Sequence, residues 1–199
     1  MLIIGLQLGG AALFVAGTLA LRRWLLHNPT PRTAARSGLL SHFMFHLLLF
    51  GPLLLGIVNP GLRQFDALVH LPSLPAMSRV AGMMLLGIGV ALIVLASGLL
   101  GRIGKGAPSF LTPKEFVACG LYARCRNPLA LGWYVFCAGI ALWASSTYLT
   151  LLCLLVLVPA HIFFLKRFEE VELEIRFGAS YRDYKARTPF LFPRLAVHP

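Results

Sequence analysis

Charge is scarce in this chain, and acidic charge scarcest. Of 199 residues 13% are charged, with seven Asp and Glu against eighteen Lys and Arg, while 58% are apolar. An average soluble domain is about 25% charged and about 45–50% apolar, so an ordinary soluble globule, a disordered tail and a coiled coil are excluded. Cysteine is also sparse. Cys119, Cys125, Cys137 and Cys153 form no C-x-x-C pair and have no zinc spacing, which excludes a disulfide framework and a zinc site. The first two fall in a loop expected to be cytosolic, where thiols stay reduced; the others sit inside apolar runs as small fillers. No run alternates in the manner of a barrel strand. There is no internal repeat and no low-complexity segment. A basic stretch before the first apolar run is missing too: Met1 leads straight into it, and Arg22 and Arg23 follow it. This reads as a retained anchor and not as a cleaved leader.

What is abundant is long apolar sequence. Five runs meet or approach the ~20 residues that cross a bilayer as a helix: Leu2–Leu21, Leu39–Val58, Val80–Leu100, Pro128–Ala144 and Tyr148–Leu165. Backbone groups in lipid must pair within their own segment, so these are helices. The pattern predicts an all-α integral membrane bundle of five transmembrane helices with a short cytosolic C-terminal helical segment. It forms one domain over residues 1–199: three spanning helices in 1–100, and a loop, two further spans and a tail in 101–199. Sixteen of the eighteen basic residues lie in the 22–37 loop, the 101–127 loop and the tail after Leu165, leaving only Arg63 and Arg79 for the other face. By the positive-inside rule the N-terminus is outside and the C-terminus cytoplasmic. The net charge of +11 is then topology and contact with anionic lipid, not nucleic-acid binding.

Polar groups near the membrane mark the places where function is expected. The 101–128 segment contains Gly104-x-Gly106, Pro108, and Gly120-x-Tyr122-x-Arg124-x-Arg126-Asn127-Pro128. Glycines at 104 and 106 permit positive φ and close approach of backbone to a ligand, although any tight turn uses glycine as well. Pro128 suits the first turn of the fourth helix, which puts Arg126 and Asn127 beside its positive end, a place for an anionic group or for headgroup anchoring. The tail carries Glu169, Glu170, Glu172 and Glu174 directly beneath the last span. These form either a solvated charged face or a carboxylate facing a pocket between helices. Gly178 suits a helix end, and Ser180-x-x-Asp183 suits the cap of a second short helix. Phe177, Tyr181 and Tyr184 share a spacing that favours interface anchors over a pocket wall. His42, His46 and His161 are expected to hydrogen-bond between helices or to a substrate, with no metal site.

The ordered set Gly104-x-Gly106, Gly120-x-Tyr122-x-x-x-Arg126-Asn127-Pro128-x-x-x-Gly132, Glu169-Glu170-x-x-Leu173-x-x-x-Phe177-Gly178-x-x-Tyr181-x-x-Tyr184 and Pro189-Phe190-x-x-Pro193 resembles the isoprenylcysteine carboxyl methyltransferase and phospholipid N-methyltransferase superfamily. The likeness covers roughly the last 100 residues. It departs from the pattern at Asn127, where His is also common, and at Ala130, where Tyr is common. The resemblance implies an integral membrane methyltransferase that uses S-adenosylmethionine and takes a lipophilic acceptor laterally from the bilayer. By that pattern Gly104 and Gly106 approach the cofactor. Tyr122 and Pro128 belong to the same cofactor-binding set. Arg126 and Asn127 hold the cofactor's amino-acid end, Glu169 and Glu170 its ribose or the reacting centre, and Tyr181 and Tyr184 the roof. Glu170 and Arg126 are the expected catalytic pair. The acceptor leans to an isoprenylcysteine carboxylate, with a phosphatidylethanolamine amine or a small thiol as alternatives. A nicotinamide-dependent sterol reductase fold, a small transporter and a histidine-ligated redox subunit are the competing readings.

Overall fold

A computed structural model describes residues 2–58, 61–105 and 113–193, with the side chains of residues 61–64 left out. Gly106, Pro108, Arg194 and the side chain of Arg63 therefore lie outside the described residues. All regular structure among the described residues is helical. Helix α1 runs Leu2–His27, α2 Pro31–Val58, α3 Gly61–Leu68, α4 Met77–Arg102, α5 Leu121–Arg124, α6 Pro128–Trp143 and α7 Thr147–Arg187.

Four of these, α1, α2, α4 and α7, are long and apolar enough to cross a membrane. The fifth expected span, α6, is the exception. Its 16 residues extend about 24 Å at 1.5 Å per residue, short of a ~30 Å hydrocarbon core. Two boundaries move. The second helix begins at Pro31 instead of Leu39, with Thr30 accepting the Thr33 amide as its cap. The last span and the tail form one 41-residue helix, bent at Gly178, whose φ of 56° and ψ of −128° suit only glycine.

Pro52 and Pro159 do not break their helices. Each follows a widened π-helical stretch, Phe45–Phe50 and Cys153–Leu157. The wider turn relieves the clash of the proline ring with the preceding turn and tolerates its missing N–H.

Only 17% of the α4 apolar window is buried within the protein. Its large side chains, such as Met84, Val94 and Leu95, are exposed and suited to lipid. The inner face of α4 meets α6 through glycines. A Cβ placed on Gly82 or Gly89 would come within 2.5–2.6 Å of the backbone nitrogens of Trp143 or Phe136, and one on Gly139 within 2.7 Å of the Leu86 nitrogen. Small residues allow such backbone approach, which is how helices associate where lipid removes the hydrophobic drive. On the other side α1 packs on α2, with Gly10 against the Leu48 carbonyl. The main core is Phe14, Leu49, Leu53, Leu149, Cys153, Phe164 and Phe168. Buried Gln7 ties three helices together: its amide donates to the Pro52 carbonyl at 3.0 Å and accepts from the Tyr148 hydroxyl at 2.8 Å.

At the end of the bundle away from the basic loops, Asp66 in α3 accepts the backbone N–H groups of Thr147 and Tyr148 at 3.0 and 2.9 Å, and Ser146 accepts that of Leu149 at 3.2 Å. This satisfies donors that a helix start otherwise leaves orphaned. Asp66→Ala is expected to lower stability by about 1–2 kcal/mol, the range of lost N-caps. The readout is a lower melting temperature in detergent, partly restored in Asp66→Asn.

Candidate functional site

The opposite end holds a cleft. It lies between the first half of α2, the end of α4, the 113–130 segment and the α7 stretch from His161 to Tyr184, and has a cavity volume of about 180 Å³. Along α7 the lining side chains recur every three to four residues: His161, Phe164, Phe168, Glu169, Glu172, Leu173, Arg176. That is one face of a helix. A third widened turn, Leu165–Glu169, lies where α7 presents Phe168 and Glu169.

The two adjacent glutamates have different surroundings. Glu169 lines the cleft and makes no hydrogen bond or ion pair among the described residues. Glu170 does not line it. Its carboxylate lies 3.0 Å from Nη1 of Arg126 and 2.8 Å from Nζ of Lys185, and Lys185 also pairs with Glu174 at 2.8 Å. Glu170 thus holds a cation network behind the cleft wall, whereas the sequence pointed to it as the reacting carboxylate. Arg126 itself lines the cleft. Its contact with Glu170 has ion-pair distance but not hydrogen-bond alignment. Nε and Nη1 of Arg126 are buried with no hydrogen-bond partner, and such donors are expensive to leave unmet.

The chain closes over this end through backbone contacts. The Arg126 N–H donates to the Pro189 carbonyl, and the Asn127 side-chain amide donates to the Phe190 carbonyl, both at 2.9 Å. Asn127 therefore clasps the tail with its only donor group. Pro128 opens α6 without lining the cleft. The Tyr184 hydroxyl donates to the Tyr122 carbonyl at 2.7 Å, which fixes the turn that carries Tyr122. The Tyr122 ring lines the cleft. Burial, reinforced by the nearby Glu169 carboxylate, pushes its hydroxyl well above the usual tyrosine range, so it stays neutral. Tyr181, Tyr184 and Phe177 line the cleft as well, gathered around Phe116 with ring centroids 5.1–6.1 Å apart. They wall a pocket, against the expectation of interface anchors, and the bend at Gly178 sets the direction of the turns that carry Tyr181 and Tyr184.

Gly104 differs from expectation. It does not carry a positive φ; Lys105 does, at 50°. Its carbonyl accepts the amides of Lys114 and Glu115 at 2.7 and 3.0 Å, and an added Cβ would meet the Leu100 carbonyl at 2.7 Å and Pro113 at 3.0 Å. Gly104 closes the loop that carries Phe116 and Val117 and does not itself line the cleft. Arg176 secures the same loop, bonding to Glu172 at 2.8 Å and to the Pro113 carbonyl. Phe116, Phe168 and Arg176 escaped the sequence reading, although the α7 members follow from helical spacing. From the first half of the chain, Gly38, Ser41 and Phe45 on α2 also escaped it; they line the cleft together with His42 and His46, the pair expected to bond between helices or to a substrate.

A family profile described as phospholipid methyltransferase matches residues 77–180. The chain is also similar to Methanethiol S-methyltransferase 2 of Bradyrhizobium diazoefficiens, with 39% identity over 88 residues. That stretch covers 44% of this chain and 30% of the relative, so well under two thirds of the relative's length is spanned. No solved structure matches the chain.

Proposed function

Because the chain belongs to the phospholipid methyltransferase family, within the isoprenylcysteine carboxyl methyltransferase-like superfamily of integral membrane methyltransferases, we propose that its cleft binds S-adenosylmethionine and transfers the methyl group to a lipophilic acceptor from the bilayer. The observation that carries this reading is Arg126, which lines the cleft with Nε and Nη1 buried and without a hydrogen bond, its charge met only by the Glu170 ion pair, in a cleft that also presents Glu169. A zwitterionic, sulfonium-bearing ligand meets both needs. Its carboxylate accepts from Arg126, a charge-assisted bond stronger than a neutral one. Its positive centre would be balanced by Glu169. Asn127, Tyr181 and Tyr184 close the site over it, and Glu170 orients Arg126 from behind. Gly104 supports the loop, and Gly106 belongs to the same segment.

The cofactor supplies the methyl group and its leaving sulfur; the protein's part is to bind, orient and exclude water. The basic loops at the cleft end favour its lying on the cytoplasmic side. Apolar outer faces on α1, α2 and α4 favour an acceptor that arrives through the membrane. A carboxylate, an amine and a small thiol all fit that description; the relative named for methanethiol adds support to the thiol.

Purified protein in detergent is expected to melt at higher temperature with S-adenosylhomocysteine present, since ligand at 100 times its Kd stabilises by about 2.7 kcal/mol. An Arg126→Ala variant is expected to lose the shift. No shift in the wild-type protein, or a shift with reduced nicotinamide cofactor instead, would overturn the reading.

A further inference from the structure

The cleft is divided by depth. Its charged lining groups, Glu115, Arg126, Glu169, Glu172 and Arg176, come from the loop and from the outer part of α7. His161 lies eight residues earlier on the same helix, which is about 12 Å deeper at 1.5 Å per residue. At that depth the lining is His42, Phe45, His46, Trp133, His161 and Phe164. The described lining of this inner compartment contains no cationic side chain to hold a carboxylate or a phosphodiester.

His42 is set up in a particular way. Its Nδ1 lies 2.9 Å from the Gly38 carbonyl one turn back. A carbonyl can only accept, so Nδ1 carries the hydrogen, and a neutral His42 holds its lone pair on Nε2. The bond is within its own helix; it does not tie helices together, as the sequence suggested. Nε2 makes no hydrogen bond among the described residues. The His161 Nδ1, by contrast, is engaged with the Tyr134 hydroxyl at 2.8 Å, and its ring stacks on Phe164. His46 lines the cleft too, with its Nδ1 2.8 Å from the His42 carbonyl, but it stands one helical turn deeper on α2, so His42 is the α2 imidazole nearer the charged end of the cleft.

Resting on the methyltransferase reading above, we propose that the inner compartment is the acceptor subsite, that its acceptor is a small uncharged thiol, and that His42 takes the thiol proton. An acceptor lone pair calls for a nucleophile that still bears its hydrogen, which a carboxylate does not. An ammonium would need a carboxylate partner, and none lines this depth. A small alkyl thiol is a weak acid that stays protonated at neutral pH, so a positioned imidazole that takes its proton as the sulfur attacks is of use. In the step, the S–H proton passes to Nε2 of His42 and the sulfur lone pair forms the new bond to the methyl carbon. The electron pair of the breaking carbon–sulfur bond stays on the donor's sulfur. The donor's positive charge therefore ends as the His42 imidazolium, which returns its proton to water.

The test uses the full chain in detergent, with ethanethiol and thiophenol as acceptors and His42→Ala and His42→Gln as variants. Ethanethiol is protonated at neutral pH and needs a base; thiophenol is largely ionised already. Both variants are expected to lose about a hundredfold or more with ethanethiol, the usual size of general-base catalysis. With thiophenol the loss should be under about tenfold, because no proton has to be taken. The S-adenosylhomocysteine melting shift should be retained, which shows a folded variant and an intact donor site. Equal losses with both thiols would mean a merely structural role and overturn the proposal. So would unchanged rates, or a wild-type protein that methylates an isoprenylcysteine carboxylate or phosphatidylethanolamine but neither thiol. A wild-type protein without the melting shift would sink the methyltransferase reading itself.

Discussion

Glu169→Gln is expected to lower methyl transfer by about a hundredfold or more, the scale seen when one preorganised electrostatic group is removed from a dry site. The change is nearly isosteric, so packing beside Phe168 should survive. What disappears is the carboxylate that a cationic sulfur in the cleft would hold ionised. S-adenosylmethionine carries a positive sulfur and S-adenosylhomocysteine does not, so the variant should lose more affinity for the first than for the second. A tenfold difference in the two losses corresponds to about 1.4 kcal/mol. Titration calorimetry on the detergent-solubilised protein measures both. Equal losses would move Glu169 from the sulfonium to a part shared by the two ligands, such as the ribose. Glu170→Gln is the internal comparison. It removes the partner of Arg126 and Lys185 but nothing that lines the cleft, so its effect should fall mainly on donor affinity and stability. A larger loss of turnover in Glu170→Gln than in Glu169→Gln would reverse the assignment.

Gly139→Val is expected to abolish recovery of folded protein. Any Cβ at this position meets the Leu86 nitrogen at 2.7 Å and the Gly82 carbonyl at 2.9 Å. Both are backbone atoms of α4, so the strain cannot be relieved by turning a side chain; the two helices must separate. Overpacking commonly costs about 1–3 kcal/mol, and separation of a whole seam adds lost contacts along Gly82, Gly89 and Gly132. Gly139→Ala should therefore already lower the melting temperature by several degrees. Gly87, five residues after Gly82 on α4, has open space around its Cβ position. Gly87→Ala should be neutral or stabilising by up to about 1 kcal/mol, because glycine is a poor helix residue. Size-exclusion profiles and melting curves separate the three variants. If Gly139→Val migrates and melts like the wild-type protein, the close α4–α6 seam does not exist.

The seam matters to the site as well. It sets Leu100, at the end of α4, against the start of α6, where Arg126 and Asn127 stand. None of this could be read along the chain, since isolated glycines in an apolar run are as compatible with a lipid-facing helix as with a contact.

Much else was legible. Apolar runs longer than a bilayer crossing, with so few charges among them, require helices whatever the tertiary arrangement, because unpaired backbone is intolerable in lipid. The Gly120-to-Pro128 and Glu169-to-Tyr184 motifs carry enough residues at set distances to point to the family. The functions of individual motif members were less legible. Tyr184 and Asn127 turn out to hold backbone carbonyls, Gly104 to pack a loop, and Gly178 to bend a helix that continues past it.

Composition and hydropathy act residue by residue, so they determined by themselves that this chain is helical, membrane-embedded and polar at one set of loops. Which of two neighbouring glutamates faces the cleft is a question of rotation about α7, and one residue of phase is about 100°. Widened turns at Cys153–Leu157 and Leu165–Glu169 shift that phase in a way no fixed repeat anticipates. Only the packed bundle, which brings α2 across from α7, decided that Glu169 faces inward and that His42 shares its cavity.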